Sequence, residues 1–241
     1  MKRFFLLAGL GLYSLQAHAA VTVGYTNDFT VSAADFSDPK APGQWALTSG
    51  TYVNTIAGNA GPSASTVEVT RGATENFSMS STFKVTDIST SYSFGFAALG
   101  NTSSTTGTTA GNKFYLADIG NLGTTRILAF DGTGNTSVAV GGTLAFDSAK
   151  TYTLTLTGTY TGASLVLALT VFDGTSTVSA TSASIAAPLA GNFFGYRNRN
   201  NNAASDVYAV AADDFKILVP EPSSLFLLGA SLLGLAVKRR R

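Results

Sequence analysis

Hydrophobic and polar residues alternate with a period of two over most of this chain. Successive side chains of a β-strand point to opposite faces, so the pattern predicts strands that are buried on one face and exposed on the other. Residues 151–161 show it most clearly, because threonine occupies every second position and residues such as Leu154 and Leu156 lie between. Related patterns predict strands at 66–71, 77–85, 92–99, 113–119, 126–131, 152–157, 164–172, 175–182, 193–197 and 207–218.

Short turn signals separate these segments. Asp131-Gly132 and Asp173-Gly174 lie between apolar runs and predict hairpins with type I′ turns, because glycine accepts a positive φ. Residues 101–112 are nearly all Asn, Thr, Ser and Gly and predict an exposed loop. Helical periodicity with capping residues is absent from residues 20–218. We therefore expect an all-β fold, with residues 20–218 forming a single antiparallel β-sandwich.

The first nineteen residues have the pattern of a secretory signal peptide. Lys2 and Arg3 precede an apolar stretch from Phe4 to Leu15, which has the length that such a signal needs. Ala17-His18-Ala19 then supplies small residues at the −3 and −1 positions. We expect residues 1–19 to be removed by cleavage before Ala20 and the rest of the chain to be exported.

Residues 219–241 have three parts in a fixed order: a proline-rich motif, an apolar run at 225–237 and a basic cluster. As a helix the apolar run would rise about 20 Å, less than the roughly 30 Å of a bilayer core. We predict a short transmembrane helix that retains the protein temporarily, followed by a stop-transfer signal on the cytoplasmic side. The cations of that stop-transfer signal are Lys238, Arg239, Arg240 and Arg241.

This tail resembles the PEP-CTERM signal of Gram-negative bacteria, in which Val219, Pro220, Glu221 and Pro222 form the sorting motif. The resemblance implies recognition by an exosortase, a membrane transpeptidase that cuts near the motif, in species that make extracellular polysaccharide. It also implies passage through the inner membrane, transient anchorage there, and a final location at the cell surface or in the extracellular matrix.

Composition excludes several kinds of chemistry. The chain has no cysteine, and its one histidine, His18, lies in the predicted signal peptide. The mature protein therefore has no thiol catalysis, no Ser-His-Asp triad and no histidine-ligated zinc. Residues 20–218 carry nine Lys and Arg against 13 Asp and Glu, a net charge near −4. A mildly acidic domain without a basic patch is not expected to bind nucleic acid.

A pair of carboxylates, as in glycoside hydrolysis, is an enzyme mechanism that this composition permits. The two glutamates of the domain are Glu68 and Glu75. Alternation in 67–70 places Glu68 on a solvent-facing side of a strand, and Glu75 follows a loop sequence. Many aspartates lie beside turn residues, where they stabilise local geometry. We therefore expect the protein not to be an enzyme.

Short motifs along the domain resemble the concanavalin A-like, or laminin G-like, jelly roll. In that family the last strand commonly pairs near the first and closes the sheet. The hydrolase branch carries Glu-x-Asp-x-x-Glu on one strand, which this sequence lacks. The motifs that carry the resemblance are Asn27-Asp28-Phe29, Trp45 with Gly50-Thr51-Tyr52, Phe94-Gly95-Phe96, Phe114-Tyr115-Leu116-Ala117 and Asp213-Asp214-Phe215-Lys216-Ile217.

A carbohydrate site needs an aromatic face for stacking, with amide and charged groups for sugar hydroxyls. Residues 196–202 combine a tyrosine, two arginines and four asparagines. A solvated polar loop is the alternative interpretation of this segment. The candidate carbohydrate residues are Tyr196, Arg197, Asn198 and Arg199, with Tyr208 as a neighbour.

A structural calcium ion is the one cofactor to consider, because oxygen ligands are abundant. Strict alternation puts Asp213 on the same face as Phe215 and Ile217, which predicts a partly buried carboxylate. Calcium could satisfy it together with Asp28 or Asp35, but backbone hydrogen bonds could do so as well.

Three functions remain open. We favour a non-catalytic surface or matrix protein that associates with exopolysaccharide. The alternatives are a dedicated carbohydrate-binding module and a glycoside-active enzyme.

Overall fold

The computed structural model describes residues 21–37, 44–57, 61–85, 92–105, 107, 110–120, 122–200 and 207–220. Regular structure in these ranges is entirely β, which confirms the predicted all-β fold. None of the described residues belongs to a helix that is long and apolar enough to cross a membrane. The predicted signal peptide at 1–19 and the predicted membrane span at 225–237 lie outside these ranges.

Fourteen antiparallel strands form two sheets. The large sheet has the order β12-β11-β10-β5-β14-β3-β2, with β1 also paired to β14. The small sheet has the order β4-β13-β6-β7-β8-β9. The strands are β1 (Val21–Asn27), β2 (Trp45–Thr48), β3 (Thr51–Ala57), β4 (Gly61–Glu68), β5 (Phe77–Val85), β6 (Tyr92–Gly100), β7 (Lys113–Gly120), β8 (Thr124–Asp131), β9 (Asn135–Thr143), β10 (Thr151–Thr161), β11 (Ser164–Phe172), β12 (Thr177–Thr181), β13 (Phe193–Asn200) and β14 (Val207–Pro220).

The core lies between the two sheets and is rich in aromatic side chains. In β5, β10 and β11 every second residue is buried, as the alternation predicted. Tyr196 of β13 lies at the centre of the aromatic cluster. Its ring centroid is 5.3 Å from that of Trp45, 5.9 Å from that of Phe36 and 5.0 Å from that of Phe215. Residues of both sheets and of the segment after β1 therefore meet at one buried ring.

The longest strand, β14, connects the parts of the large sheet. One edge pairs with β5, and the other pairs first with β3 and then with β1. Between these two partners the register shifts from Asp213 to Lys216, and Asp214 adopts a φ of 52°. The one extra residue of this bulge leaves both Ala212 and Phe215 in the core. Strict alternation, which placed Asp213 on the face of Phe215, is therefore wrong at this point.

The two Asp-Gly turns form hairpins, between β8 and β9 and between β11 and β12. Gly132 and Gly174 each have a φ of 91°, but the aspartate before each, Asp131 or Asp173, has no positive φ. A type I′ turn requires positive φ at both central residues, so the predicted turn type is wrong. In both turns the aspartate carboxylate accepts hydrogen bonds from backbone N–H groups on the far side of the glycine.

The segment predicted as an exposed loop at 101–112 is partly packed against the outer face of the small sheet. The hydroxyl of Thr66 donates to Ser103 O at 3.1 Å. Thr105 and Asn112 are buried. A Cβ on Gly100 would lie 2.8 Å from Thr105 Cγ2, so the segment approaches the strand too closely for a larger residue. Its polar composition thus serves hydrogen bonding to the sheet as well as contact with solvent.

The Asp173 turn generates a prediction on stability. Asp173 accepts hydrogen bonds from Lys150 Nζ at 2.5 Å, Ser176 N at 2.7 Å and Thr175 N at 2.9 Å, and these lower its pKa to about 2. The folded-state pKa is below the unfolded one, so the carboxylate stabilises the fold above about pH 4, and this contribution is lost as the pH falls towards 2. Asp173→Asn should therefore lower the urea midpoint at pH 7, and its difference from wild type should narrow at pH 2.

The matched control is Glu68→Gln, because Glu68 is exposed on β4. It should leave the midpoint unchanged at both pH values. If Asp173→Asn lowered the urea midpoint by the same amount at pH 7 and at pH 2, the charge of Asp173 would not be what stabilises the turn.

Candidate functional site

A polar cavity of about 550 Å³ opens where β14 passes from β3 to β1. The bulge at Asp214 forms one wall, and the segment that follows β1 forms the other. This cavity brings together residues of the motifs Asn27-Asp28-Phe29 and Asp213-Asp214-Phe215-Lys216-Ile217, which are far apart in the sequence. Its lining residues are Thr26, Asn27, Asp28, Val31, Ser32, Asp214 and Lys216.

Hydrogen bonds and one aromatic anchor hold the wall that follows β1. Asn27 Oδ1 accepts from Phe29 N at 2.7 Å, and Asn27 Nδ2 donates to Ser32 O at 2.9 Å. Phe29 has a φ of 54° and is fully buried, with its ring stacked on Tyr52 at 4.9 Å. The hydrogen bonds of Asn27 and the buried ring of Phe29 thus both fix the conformation of this segment. Val31, at 86% exposure, is left as an apolar surface beside the polar groups.

The charges of the cavity come from two carboxylates and one ammonium. Asp28 Oδ1 accepts from Thr30 N at 3.1 Å and from Thr30 Oγ1 at 2.9 Å, and these bonds lower the pKa of Asp28. Lys216 Nζ lies 3.9 Å from Asp214 Oδ1, and both side chains are about half exposed. Hydroxyl and amide groups complete the lining. The cavity can therefore both donate to and accept from the hydroxyls of a polar ligand.

The residues considered for calcium are not brought together as the sequence suggested. Asp213 Oδ1 accepts from Asp214 N at 2.8 Å, and Asp35 accepts from the hydroxyl of Tyr25 at 3.2 Å. The carboxylate that shares the cavity with Asp28 belongs to Asp214, beside the ammonium of Lys216. Among the described residues no three acidic or histidine side chains gather around one point. This donor set does not fit the roughly six to eight oxygens that calcium takes.

A hydroxyl-rich surface continues from the cavity across the large sheet. Cross-strand pairing places Thr26, Lys216, Ser80, Thr155, Thr170 and Ser179 in one row over six strands. At about 4.8 Å between strands, this row is about 24 Å long. The alternating threonines of β10 are therefore one line of a wider polar surface, which Val166, Ala168 and Phe172 interrupt on β11. We call this surface the hydroxyl face; its members on β5, β10, β11 and β12 are Ser78, Ser80, Thr82, Thr151, Thr153, Thr155, Thr157, Thr159, Thr170, Thr177, Ser179 and Thr181.

The candidate carbohydrate residues of β13 are divided between two faces of the small sheet. Tyr196 and Asn198 are fully buried in the core. The hydroxyl of Tyr196 bonds to Ser81 Oγ at 2.8 Å, and burial holds its pKa well above the ordinary range. Asn198 Nδ2 donates to Asn54 Oδ1 at 2.6 Å. A fully buried ring cannot stack against a sugar, so the suggested role of Tyr196 is corrected to core packing.

The two arginines of that group lie on the other face of β13, and Tyr208 lies in the other sheet. Arg199 is exposed, whereas Arg197 is 4% exposed on the outer face of the small sheet. The Arg197 guanidinium lies 5.2 Å from the ring centroid of Phe130, and burial lowers its pKa to about 10. Tyr208 belongs to the large sheet, where it pairs with Ile56. The structure does not assemble these residues into one site.

The outer face of the small sheet also contains an ion pair that the sequence analysis missed. Asp118 is fully buried and accepts from Arg126 Nε at 2.6 Å and Nη2 at 3.0 Å. This bidentate geometry raises the pKa of Arg126. The pair fixes adjacent strands β7 and β8, whose residues Asp118 and Arg126 are direct partners. We assign it a structural role.

Neither glutamate considered for catalysis lines the cavity. Glu68 is exposed on β4, in the small sheet. Glu75 Oε2 accepts from Gly72 N at 2.6 Å and closes a local turn. The residues that do line the cavity were only partly visible in the sequence. Asn27 and Asp28 were quoted for a fold motif, but nothing in their order reveals that Lys216 would face them across a strand pair.

Comparison with protein families gives one match. Residues 218–241 match the family described as the PEP-CTERM protein-sorting motif. This chain carries a PEP-CTERM sorting motif. The motif implies export and processing by an exosortase, and its first residues coincide with the end of β14. Comparison with curated protein sequences gave no match.

Solved structures with the same fold include lectins and a glycoside hydrolase. The carbohydrate recognition domain of Emp47p has a TM-score of 0.56 and 14% identity over 83% of this chain and 96% of its own. Lectin I-B4 from Griffonia simplicifolia has a TM-score of 0.54 and 13% identity over 81% of this chain and 98% of its own. The GH43 protein BlXynB from Bacillus licheniformis has a TM-score of 0.55 and 10% identity over 80% of this chain, which spans only 39% of that enzyme. These likenesses confirm the concanavalin A-like sandwich and show the fold alone.

The bulge at Asp214 generates a prediction on stability. A side chain at positive φ is strained, least for glycine, aspartate and asparagine and most for β-branched residues. Asp214→Gly should keep or slightly raise the free energy of unfolding, whereas Asp214→Val should lower it by about 1–2 kcal/mol. Urea denaturation measures both.

The matched control is Lys216→Val, which places the same side chain on the same strand at a residue without positive φ. If Asp214→Val and Lys216→Val lower the free energy of unfolding by the same amount, backbone strain at the bulge does not determine which residue is found there.

Proposed function

We propose that this protein is an exported, non-catalytic protein of the cell surface or extracellular matrix that associates with exopolysaccharide through the cavity and the adjoining hydroxyl face. The PEP-CTERM motif supports the export part of this proposal. The species that use such motifs make extracellular polysaccharide, which supplies the partner. The tail-processing enzyme is an exosortase, and contact with the inner membrane is transient.

The continuity of the cavity with the hydroxyl face is the observation that carries the proposal. Thr26 and Lys216 line the cavity and also belong to the row of polar residues that crosses the large sheet. A polysaccharide is a long, hydroxylated polymer, so it needs an extended surface more than a deep pocket. The carboxylates and the ammonium can fix one sugar by charge-assisted hydrogen bonds, and the hydroxyl face can follow the chain beyond it.

Two features support a non-catalytic role. A glycosidase needs one carboxylic acid that keeps its proton near neutral pH. The hydrogen bonds from Thr30 lower the pKa of Asp28, which makes this carboxyl a poor proton donor. Glu68 and Glu75 are not among the residues that line the cavity. Release of new sugar ends from a polysaccharide, lost in Asp28→Asn, Glu68→Gln or Glu75→Gln, would favour the glycoside-active alternative.

A dedicated carbohydrate-binding module is the second candidate, because the cavity could select one sugar instead of a class of polymer. A glycan array separates the two. Strong binding to one oligosaccharide favours the module, whereas weak binding to many polymers of sufficient length favours the matrix protein.

The proposal predicts a charge-dependent contact with the polysaccharide. Asp214→Asn keeps the shape of the side chain and tolerates positive φ, but removes the negative charge. It should weaken binding of the purified exopolysaccharide about tenfold, since hydrogen bonds to charged groups contribute about 1.5–3 kcal/mol. Affinity electrophoresis or calorimetry of residues 20–218 checks this.

Glu68→Gln is the control, because it removes an exposed carboxylate from the other sheet. Thr155→Val removes one hydroxyl from the row that crosses the large sheet. It should weaken the binding of long polymers more than the binding of short oligosaccharides. Equal affinity of wild type, Asp214→Asn and Thr155→Val would count against this surface.

The sorting motif generates a separate prediction. From the sequence we expect Pro220 and Pro222 to favour an extended conformation at Glu221, since each proline ring fixes its own φ and disfavours helix in the residue before it. Glu221 is the only charge between residues 217 and 237. Glu221→Ala should leave the signal peptide cleaved but the tail uncut, which traps the protein in the inner membrane.

The measurement is the mass of the mature C-terminus in wild type and variant, with neutral replacement of residues 238–241 as a second test of membrane retention. An intact Arg241 in both proteins would show that the tail is a plain anchor.

A further inference from the structure

The first residues of the sorting motif are part of the folded sheet. Val219 and Pro220 are the last residues of β14 and pair with Thr22 and Val21 of β1. Val219 is 7% exposed and belongs to the core. A Cβ on Gly24 would lie 3.1 Å from Val219 Cγ2, so β1 packs closely over this side chain. The motif therefore begins inside the domain and not in a linker after it.

In the part of the chain that the structure describes, β1 is the strand that holds this end of β14. Pairing of β14 with β5 ends at Leu218, opposite Ser78. Pairing with β1 continues to Pro220. The backbone edge that Val219 would offer to a binding partner is consequently occupied by β1.

An enzyme that recognises an extended segment commonly pairs with its backbone, as an added strand does with a sheet edge. It also needs room for the side chains on both faces of the segment. At Val219 the edge that pairs with β1 is occupied and the side chain is buried. A partner cannot pair along that edge or contact the side chain of Val219 while β1 stays in place. Terminal strands open at low free-energy cost, which provides a route to the motif.

We propose that β1 masks the first half of the sorting motif, and that the tail-processing enzyme acts only on molecules in which the start of β1 has separated from Val219 and Pro220. This inference rests on the sorting role stated above and adds a regulation to it. The rate of tail removal depends on the fraction of molecules in which β1 is open at this end. The domain itself then controls its release from the membrane.

A disulfide across the two strands tests this masking. Val23 and Leu218 are direct partners. Leu218 is the first residue of the matched region but precedes the four motif residues Val219 to Pro222. The chain has no cysteine, so within one molecule Val23→Cys with Leu218→Cys can form only the intended bond, in a compartment that permits disulfides, and non-reducing electrophoresis detects any bond between molecules. In the exporting cell, the locked full-length protein should lose its tail at least about tenfold more slowly than wild type, because the competent fraction falls. Mass spectrometry of the C-terminus measures this.

Controls separate the lock from other effects. Thr124→Cys with Thr143→Cys joins β8 to β9 at another direct pair, in the small sheet, where the two hydroxyl oxygens are 3.5 Å apart, and should leave tail removal unchanged. Each single cysteine variant should also be processed normally. Conversely, Thr22→Pro removes a backbone donor from β1, loosens its start and should speed tail removal.

The outcomes distinguish failure of the masking by β1 from failure of the sorting role of the tail. Tail removal at the wild-type rate in the locked protein, or no acceleration in Thr22→Pro, overturns the masking and shows that the motif is recognised in place. An intact tail in wild type as well overturns the sorting role on which the masking depends.

Discussion

Packing of aromatic rings between the two sheets is the interaction on which this structure depends. With no cysteine in the chain, no disulfide holds the sheets together. Tyr196 contributes the central ring and packs against Trp45, Phe36 and Phe215. Aromatic pairs in offset or edge geometry stabilise beyond the burial of their area, and their hydroxyls require partners when buried. The bond between Tyr196 and Ser81 meets that requirement across the sandwich.

The same packing explains how the cavity is positioned. Phe29 and Phe36 come from the segment after β1 and insert their rings beside Tyr52 and Tyr196. Because these anchors fix the ends of the segment, Asp28 and Ser32 between them are held at the mouth of the cavity. The bulge of β14 holds Asp214 and Lys216 on the opposite wall. The exposed residues of this segment are thus held in place by the two aromatic rings that the segment buries in the core.

Periodicity predicted the interior strands well and the irregular ones poorly. β5, β10 and β11 alternate strictly, because one face of each packs on the core. β9 and β4 lack that signal: β9 is an edge strand with two glycines, and β4 consists mainly of small residues. The bulge at Asp214 inserts an extra residue that no local pattern marks, so the face of Asp213 was predicted wrongly. Tyr196 shows a further limit, since a tyrosine amid arginines and asparagines looks exposed in sequence although its strand lies across the core.

Pairing of the two terminal strands has a mechanical consequence. A protein held in a membrane by its tail experiences any pull from the extracellular matrix as a force along the chain at Pro220. That force runs parallel to β14 and loads the hydrogen bonds to β1 and β5 in shear, so that many must break together. Val21, the partner of Pro220, lies at the same point, and the opposite end of the domain carries none of the load directly. Because Lys216 of the same strand lines the cavity and pairs with Thr26 of β1, such a load acts directly on the strands that carry the cavity.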